Sequence, residues 1–312
     1  MGFFREMLQT GLIPLEKISE HLYPIDIKEK YFPIFILGAP RSGSTLLIQA
    51  MTHYFDIAYM TNFTRNFFKV PLTGLWLQQH LFLKKPSMTF NSEYGKTNRL
   101  LGPNEAADFW YQWFPSGKDV YVGEGDISEE TIYDIRQKIM GLLRISKKPF
   151  IFKNLYNSMR ILPIRKAFPE SLFIVCYRNT VDIAQSILQC REKIFGSKSL
   201  WWSVPPREYD KIKNKPSLQQ VVEQVYYIYK QIEKDLSGGD AEYVFNLDYS
   251  DLCNKPTQTM KDIKHWVEKQ NIRLEEQFDL PNTFQIVSGR KISEDDYKKL
   301  EHYTESLAGK NG

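Results

Sequence analysis

Apolar runs alternate with amphipathic stretches along most of the chain. Phe32, Pro33, Ile34, Phe35, Ile36 and Leu37 form an unbroken apolar run closed by Gly38 and Pro40, the pattern of a strand buried on both faces. Over 44–52 the apolar residues Leu46, Leu47, Ala50 and Met51 fall on one helical stripe. A short strand is expected over 57–60, and 62–103 is broken by Pro71, Gly74, Pro86, Gly95 and Pro103 into short helices and loops. Helices follow over 105–113 and 127–143. Phe150, Ile151 and Phe152 make a short buried strand ending at Lys153. A helix over 158–167 leads to the second clear core strand, 172–177. Beyond it the pattern predicts a helix over 181–189, a Trp- and Pro-rich loop over 200–206, a long helix over 218–236 and a strand over 243–247. A helix over 257–269 and a polar helical tail over 293–307 complete the reading. This alternation predicts an α/β fold with a central parallel sheet flanked by helices on both faces. Ligands of such sheets sit beyond the carboxyl ends of the strands, so the chemistry belongs just after Leu37, Phe152, Tyr177 and Leu247.

Residues 1–30 stand apart as an N-terminal extension, with 31–312 as a single domain. The extension carries Phe3, Phe4, Met7, Leu8, Leu12 and Ile13, interrupted by Arg5, Glu6 and Pro14. That composition fits an amphipathic helix and neither a signal peptide nor, with Glu6 where Ser or Thr is required, a myristoylation site. Such a helix packs on the domain or, as the second option, touches a membrane surface loosely. No apolar run approaches the length of a membrane span, and a cytoplasmic protein is expected. Net charge is +4, which suits an anionic ligand and is too weak for nucleic acid. The three cysteines and five histidines show no paired-ligand spacing, so neither a disulfide framework nor a metal site is expected. Nothing in the pattern fixes an oligomeric state.

The strongest local signal is the segment 38–45, between a strand and a helix: Gly38, Ala39, Pro40, Arg41, Ser42, Gly43, Ser44, Thr45. Backbone N–H groups of such a turn face one concavity, and the helix N-terminus adds partial positive charge, so phosphate is the natural guest. A nucleoside triphosphatase loop carries lysine at the position of Ser44; here the cation is Arg41, inside the loop. No acid ends the strand 172–177, where a magnesium-holding partner would stand. The loop therefore fits phosphate without a metal-bound triphosphate tail. Arg178 closes that second strand, and Ser186 lies two turns into the following helix, facing the same cleft.

The run from Pro40 to Leu47 resembles the 5′-phosphosulfate loop of the sulfotransferase superfamily, whose fold is related to that of the P-loop nucleoside triphosphate hydrolases. Tyr177, Arg178, Asn179, Thr180, Val181 and Asp182, followed by Ser186, resemble that family's 3′-phosphate motif. The resemblance extends over most of the chain. Residues 168–175 look like the family's lead-in to the second strand, and Leu247 to Leu252 like its later tyrosine-acid-x-leucine segment, with Tyr249 in the tyrosine position and Asp251 displaced. Ser288, Gly289, Arg290 and Lys291 resemble the late basic loop over the 3′-phosphate. The carbohydrate and tyrosylprotein branches look closer than the cytosolic phenol and steroid branch. The extension and 62–103 carry no family motif.

The resemblance implies 3′-phosphoadenosine 5′-phosphosulfate as donor and a small-molecule or glycan acceptor. It also implies donor contacts from Arg41, Ser42, Gly43, Ser44, Thr45, Arg178, Ser186, Tyr249, Ser288, Arg290 and Lys291. Sulfuryl transfer asks for positioning and for charge on the leaving oxygen, which Arg41 and Lys153 supply. The phenol and steroid branch places a histidine base two residues after the lysine; here that position is Leu155. The base then falls to a carboxylate: Glu105, which resembles the acid of the carbohydrate and tyrosylprotein branches, with Asp108 in reserve. Two readings compete with the transferase. One is a P-loop kinase or nucleotide hydrolase, which the serine at 44 disfavours. The other is a non-catalytic nucleotide- or glycan-binding protein, which Arg41, Lys153 and Glu105 together disfavour.

Overall fold

A computed structural model of the chain describes residues 2–22, 31–82, 90–93, 95–239 and 241–309. The chain runs α1 (Gly2–Leu22), β1 (Pro33–Gly38), α2 (Ser44–Tyr54), β2 (Ala58–Tyr59), α3 (Pro71–Leu81), α4 (Ala107–Trp110), α5 (Glu129–Ser146) and β3 (Phe150–Lys153). It continues through α6 (Ile161–Ala167), β4 (Leu172–Tyr177), α7 (Thr180–Phe195), α8 (Tyr209–Ile212), α9 (Ser217–Leu236), β5 (Val244–Asp248), α10 (Tyr249–Asn254), α11 (Pro256–Glu268) and α12 (Glu294–Ala308). The five strands are all parallel, in the order β2-β3-β1-β4-β5.

The apolar strands are continuous because helices cover both faces of the sheet. Phe35, Leu37, Phe152, Phe173 and Val175 face a layer built from α5, α6, α7 and α9. Ile34, Ile36, Ile151 and Ile174 face α2, α10 and α11. Phe35 sits between Phe152 and Phe173, with ring centroids 5.4 and 5.7 Å away. After β1 the chain builds β2 and β3 on one side and β4 and β5 on the other. The order therefore reverses between β1 and β4, which opens a crevice beyond their carboxyl ends. Register brings those ends level: Gly38 pairs with Cys176, Lys153 with Ile36, and Tyr177 with Asp248.

Two of the differences from the sequence pattern bear on the site. The helix expected over 105–113 shrinks to the four residues of α4. Ala106 adopts a left-handed φ of 47°, which leaves Glu105 outside the helix. The apolar density there comes from Phe109, Trp110 and Phe114 filling the core against Phe35 and Phe152, not from a helical repeat. The helix expected over 158–167 is split into a 3₁₀ turn, Leu155–Met159, and α6. Ser158 turns back to β1, where Gly38 N–H donates to its hydroxyl oxygen (3.1 Å).

The N-terminal helix packs on α3 and α5. Glu16 accepts from the N–H groups of Leu72 (3.1 Å) and Thr73 (2.9 Å) and from the Thr73 hydroxyl (2.8 Å). These N–H groups belong to the first turn of α3 and have no partner within that helix, so α1 caps α3 from outside. Among the described residues no helix is long and apolar enough to cross a membrane.

Candidate functional site

The crevice holds a cavity of about 590 Å³. Its floor is the loop after β1. Gly38, Arg41 and Gly43 all have left-handed φ, at 146°, 70° and 96°, which curls the backbone toward the N-terminus of α2. Gly43 has no room for a side chain, because a Cβ there would lie 2.3 Å from the Tyr249 ring. Of the residues expected from the sequence, Arg41, Gly43, Ser44, Thr45, Glu105, Asp108, Lys153, Arg178 and Tyr249 line the cavity.

At one end, cations converge. Asn179 caps α7 by accepting from Asp182 N–H (3.0 Å), which fixes Arg178 at the mouth of β4. Arg178 donates to the carbonyls of Arg41 (2.9 Å) and Val287, with its guanidinium 4.6 Å over the Tyr249 ring. Arg41 Nε donates to Ser186 Oγ (2.9 Å), which joins the loop to the second turn of α7. Ser186 itself is buried and does not reach the cavity wall. Lys291 lies close enough to sense the charges. Burial first, then Arg178 and Arg41, push its ammonium below the usual lysine range, with Asp182 opposing. Burial likewise lowers Arg178. The backbone of the late loop is held by Gln185, which donates to Gly289 O (2.8 Å) and accepts from Lys291 N–H (2.9 Å). A pocket of like charges with a hydroxyl beside them suits a multiply charged anion.

Arg290 goes elsewhere: its guanidinium pairs with Glu294 one helical turn on (2.9 Å), in solvent. Ser42, Ser288, Arg290 and Lys291 are not among the lining residues. Ser42 Oγ is buried without a hydrogen-bond partner.

At the other end lies a carboxylate–ammonium pair. Lys153 is 4 % exposed and bonds both Glu105 Oε1 and Thr45 Oγ1, the latter at 3.2 Å. Asn154 fixes the carboxylate's backbone by donating to Glu105 O (3.0 Å). Asn104 shapes the turn before α4 by accepting from Ala106 N–H (2.7 Å). Gly95 stands over this group. A Cβ on it would lie 3.6, 3.8 and 3.9 Å from Thr45 Oγ1, Lys153 Nζ and Glu105 Oε1. Sequence reasoning missed Gly95 and also Arg65, Lys96, Tyr156 and Trp202, which complete the wall. Tyr156, three residues after Lys153, and Trp202, in the Trp-rich loop, carried a faint signal; Arg65 and Lys96 carried none. Behind Tyr156 the buried Arg160 lies 5.7 Å from its ring and 5.6 Å from that of Tyr111. Burial pushes the Tyr156 phenol up to about 12. Among the described residues no group of three or more His, Cys, Asp or Glu is placed to hold a metal ion.

The profile of the Sulfotransferase family matches residues 33–270. Among solved structures, the sulfotransferase STF1 from Mycobacterium tuberculosis aligns with a TM-score of 0.54 at 14% identity, over 95% of this chain and 81% of that one. The sulfotransferase STF9 from Mycobacterium avium aligns at 0.49 and 12% identity, over 92% and 72%. A sulfotransferase from Alicyclobacillus acidocaldarius aligns at 0.48 and 15%, over 88% and 91%. At 14% identity the likeness to STF1 speaks for the fold alone. Among curated protein sequences none matches.

Proposed function

The chain belongs to the sulfotransferase family, and on that premise we propose that it moves the sulfuryl group of 3′-phosphoadenosine 5′-phosphosulfate to a hydroxyl or amine of a carbohydrate, glycolipid or small metabolite. The transfer machinery is assigned to residues 31–312, with 1–30 as an extension. One observation carries the reading. A single cavity has Arg41 and Arg178 on its wall, with Ser186 bonded to Arg41 and the Lys291 backbone held by Gln185 of the same helix at one end, and Thr45, Lys153 and Glu105 at the other.

The residues fit such a donor. Arg178, Lys291 and Ser186 would hold its 3′-phosphate. The N–H groups of residues 42–45, with the Ser44 and Thr45 hydroxyls, would hold its 5′-phosphate at the head of α2. The donor supplies the sulfuryl group and a stable leaving phosphate. Lys153 places its charge beside the oxygen that bridges phosphorus and sulfur, where negative charge grows as that bond breaks. Glu105 takes the proton of the acceptor hydroxyl as the new oxygen–sulfur bond forms. Lys153 and Glu105 hold each other, which supports placing both at the transfer point. When Lys153 turns to the leaving oxygen, the carboxylate is released to the acceptor.

Thermal denaturation tests the donor assignment. Adenosine 3′,5′-bisphosphate without metal is expected to raise Tm progressively with concentration. Greater stabilisation by ATP with magnesium would reject it in favour of a kinase or nucleotide hydrolase.

A further inference from the structure

Helix α1 is docked with its polar side inward. Among the described side chains between residues 7 and 22 the buried ones are Gln9 and Glu16, at 0% and 2% exposure, with Leu12, Ser19 and Glu20 half-buried. The exposed ones include Met7 (57%), Leu15 (51%), Ile18 (55%) and Leu22 (69%). At 100° per residue Met7, Gly11, Leu15, Ile18 and Leu22 form one stripe about 22 Å long, opposite Gln9 and Glu16. The remaining exposed positions of the segment are Thr10, Ile13, Pro14 and Lys17. Its carboxylates are withdrawn: Glu16 and Glu20 both pair with Lys138 of α5. The outward surface thus carries one cation, no carboxylate among the described side chains, and an apolar stripe.

Helices at the surface of a globular domain show the opposite arrangement, because burying the apolar stripe is what holds them. Here Glu16 holds α1 through hydrogen bonds, and among the described residues nothing covers the apolar stripe. A second copy is a poor occupant. The stripe is one helix wide and offers on the order of 400 Å², about half of the ~800 Å² per partner that a stable dimer buries. A lipid surface needs only a helix-long apolar face with no acid on it. Helix α3, on which α1 packs, also exposes Trp76 (48%), a residue type enriched at the headgroup boundary.

We propose that the outer face of α1 lies on a lipid bilayer, with Met7, Leu15, Ile18 and Leu22 inserted at the boundary between headgroups and acyl chains. The protein is then a peripheral membrane protein held by one in-plane helix. The inference is independent of the donor and acceptor assignments.

The test is co-sedimentation of the full chain with vesicles of phosphatidylcholine, alone and with a minority of phosphatidylglycerol. The native protein should sediment with vesicles. The double variant Leu15→Glu, Ile18→Glu should partition at least about tenfold less, because it puts two charges into the inserted face. Both positions are exposed, so the variant should keep its Tm and its stabilisation by adenosine 3′,5′-bisphosphate. Native protein that stays in the supernatant with both vesicle types overturns the proposal, as does equal partitioning of the variant. A native dimer in analytical ultracentrifugation that the double variant dissociates would assign the stripe to a second copy instead.

Discussion

Lys153 and Glu105 touch, yet the proposed roles pull them in opposite directions, one toward the leaving oxygen and one toward the acceptor proton. That divergence makes them separable. Lys153→Ala should cut kcat with donor affinity nearly kept, because its charge matters most as the sulfur–oxygen bond breaks. Glu105→Gln should also cut kcat, by about 10²–10⁴ for a lost general base. An acceptor whose hydroxyl is already acidic needs no base. A rate series over acceptors of graded pKa should therefore rescue Glu105→Gln and leave Lys153→Ala slow. Equal rescue of both, or full activity in Glu105→Gln, removes Glu105 and promotes Asp108, which lines the same cavity. The cavity-lining residues legible in the sequence follow a strand end at fixed spacing: Arg41 and Gly43 after β1, Lys153 at the end of β3, Arg178 after β4. Arg290 pairs with Glu294 one helical turn on rather than lining the cavity. Gly95 was illegible as a site residue. Its only mark in the sequence is a loop glycine, while its place over Thr45, Lys153 and Glu105 is set by packing between segments far apart in the chain.

Single elements show what periodicity does and does not decide. The apolar runs that became β1 and β4 were recognisable because a strand covered on both faces has no polar alternation to hide it. Over 105–113 aromatic density imitates a helical stripe, while the left-handed Ala106 isolates Glu105 in the turn that presents it to Lys153. For α1 amphipathicity predicted the helix but not the face that docks. That choice rests on Glu16, which satisfies the first turn of α3 and pairs with Lys138 while 2% exposed. Glu16→Ala leaves two buried N–H groups and a nearly buried ammonium short of a partner. It should cost about 2–4 kcal/mol, read from urea denaturation. Glu16→Gln keeps one acceptor oxygen and should fall between. A loss below about 0.5 kcal/mol for Glu16→Ala would mean that the outward apolar face, not the polar one, governs how α1 sits.

At the scale of the whole molecule, the cavity is closed by segments from opposite ends of the chain. After α11 the backbone returns along α10, where Phe284 N–H donates to Cys253 O (2.8 Å), and passes Val287 under Arg178. Gln185 of α7 then pins it at Gly289 and Lys291, and α12 packs on α7 and α9. Arg178 bonds the Arg41 carbonyl on one side and the Val287 carbonyl on the other, so it ties the first phosphate loop to this late segment. A ligand that engages Arg178 and Lys291 should therefore order both regions together. Hydrogen exchange measures this directly. Adenosine 3′,5′-bisphosphate should slow the amides of 39–46 and of 285–292 in parallel, although some 240 residues separate them. Gln185→Ala removes the two hydrogen bonds from α7 to Gly289 and Lys291 but lies outside the lining of the cavity. It should speed exchange over 285–292 in the free protein and weaken the bisphosphate by about 1–2 kcal/mol, a factor of roughly 5–30. Protection confined to 39–46, with Gln185→Ala binding as tightly as the native chain, would mean that the late segment merely borders the site and that the anion is held by the loop and Arg178 alone.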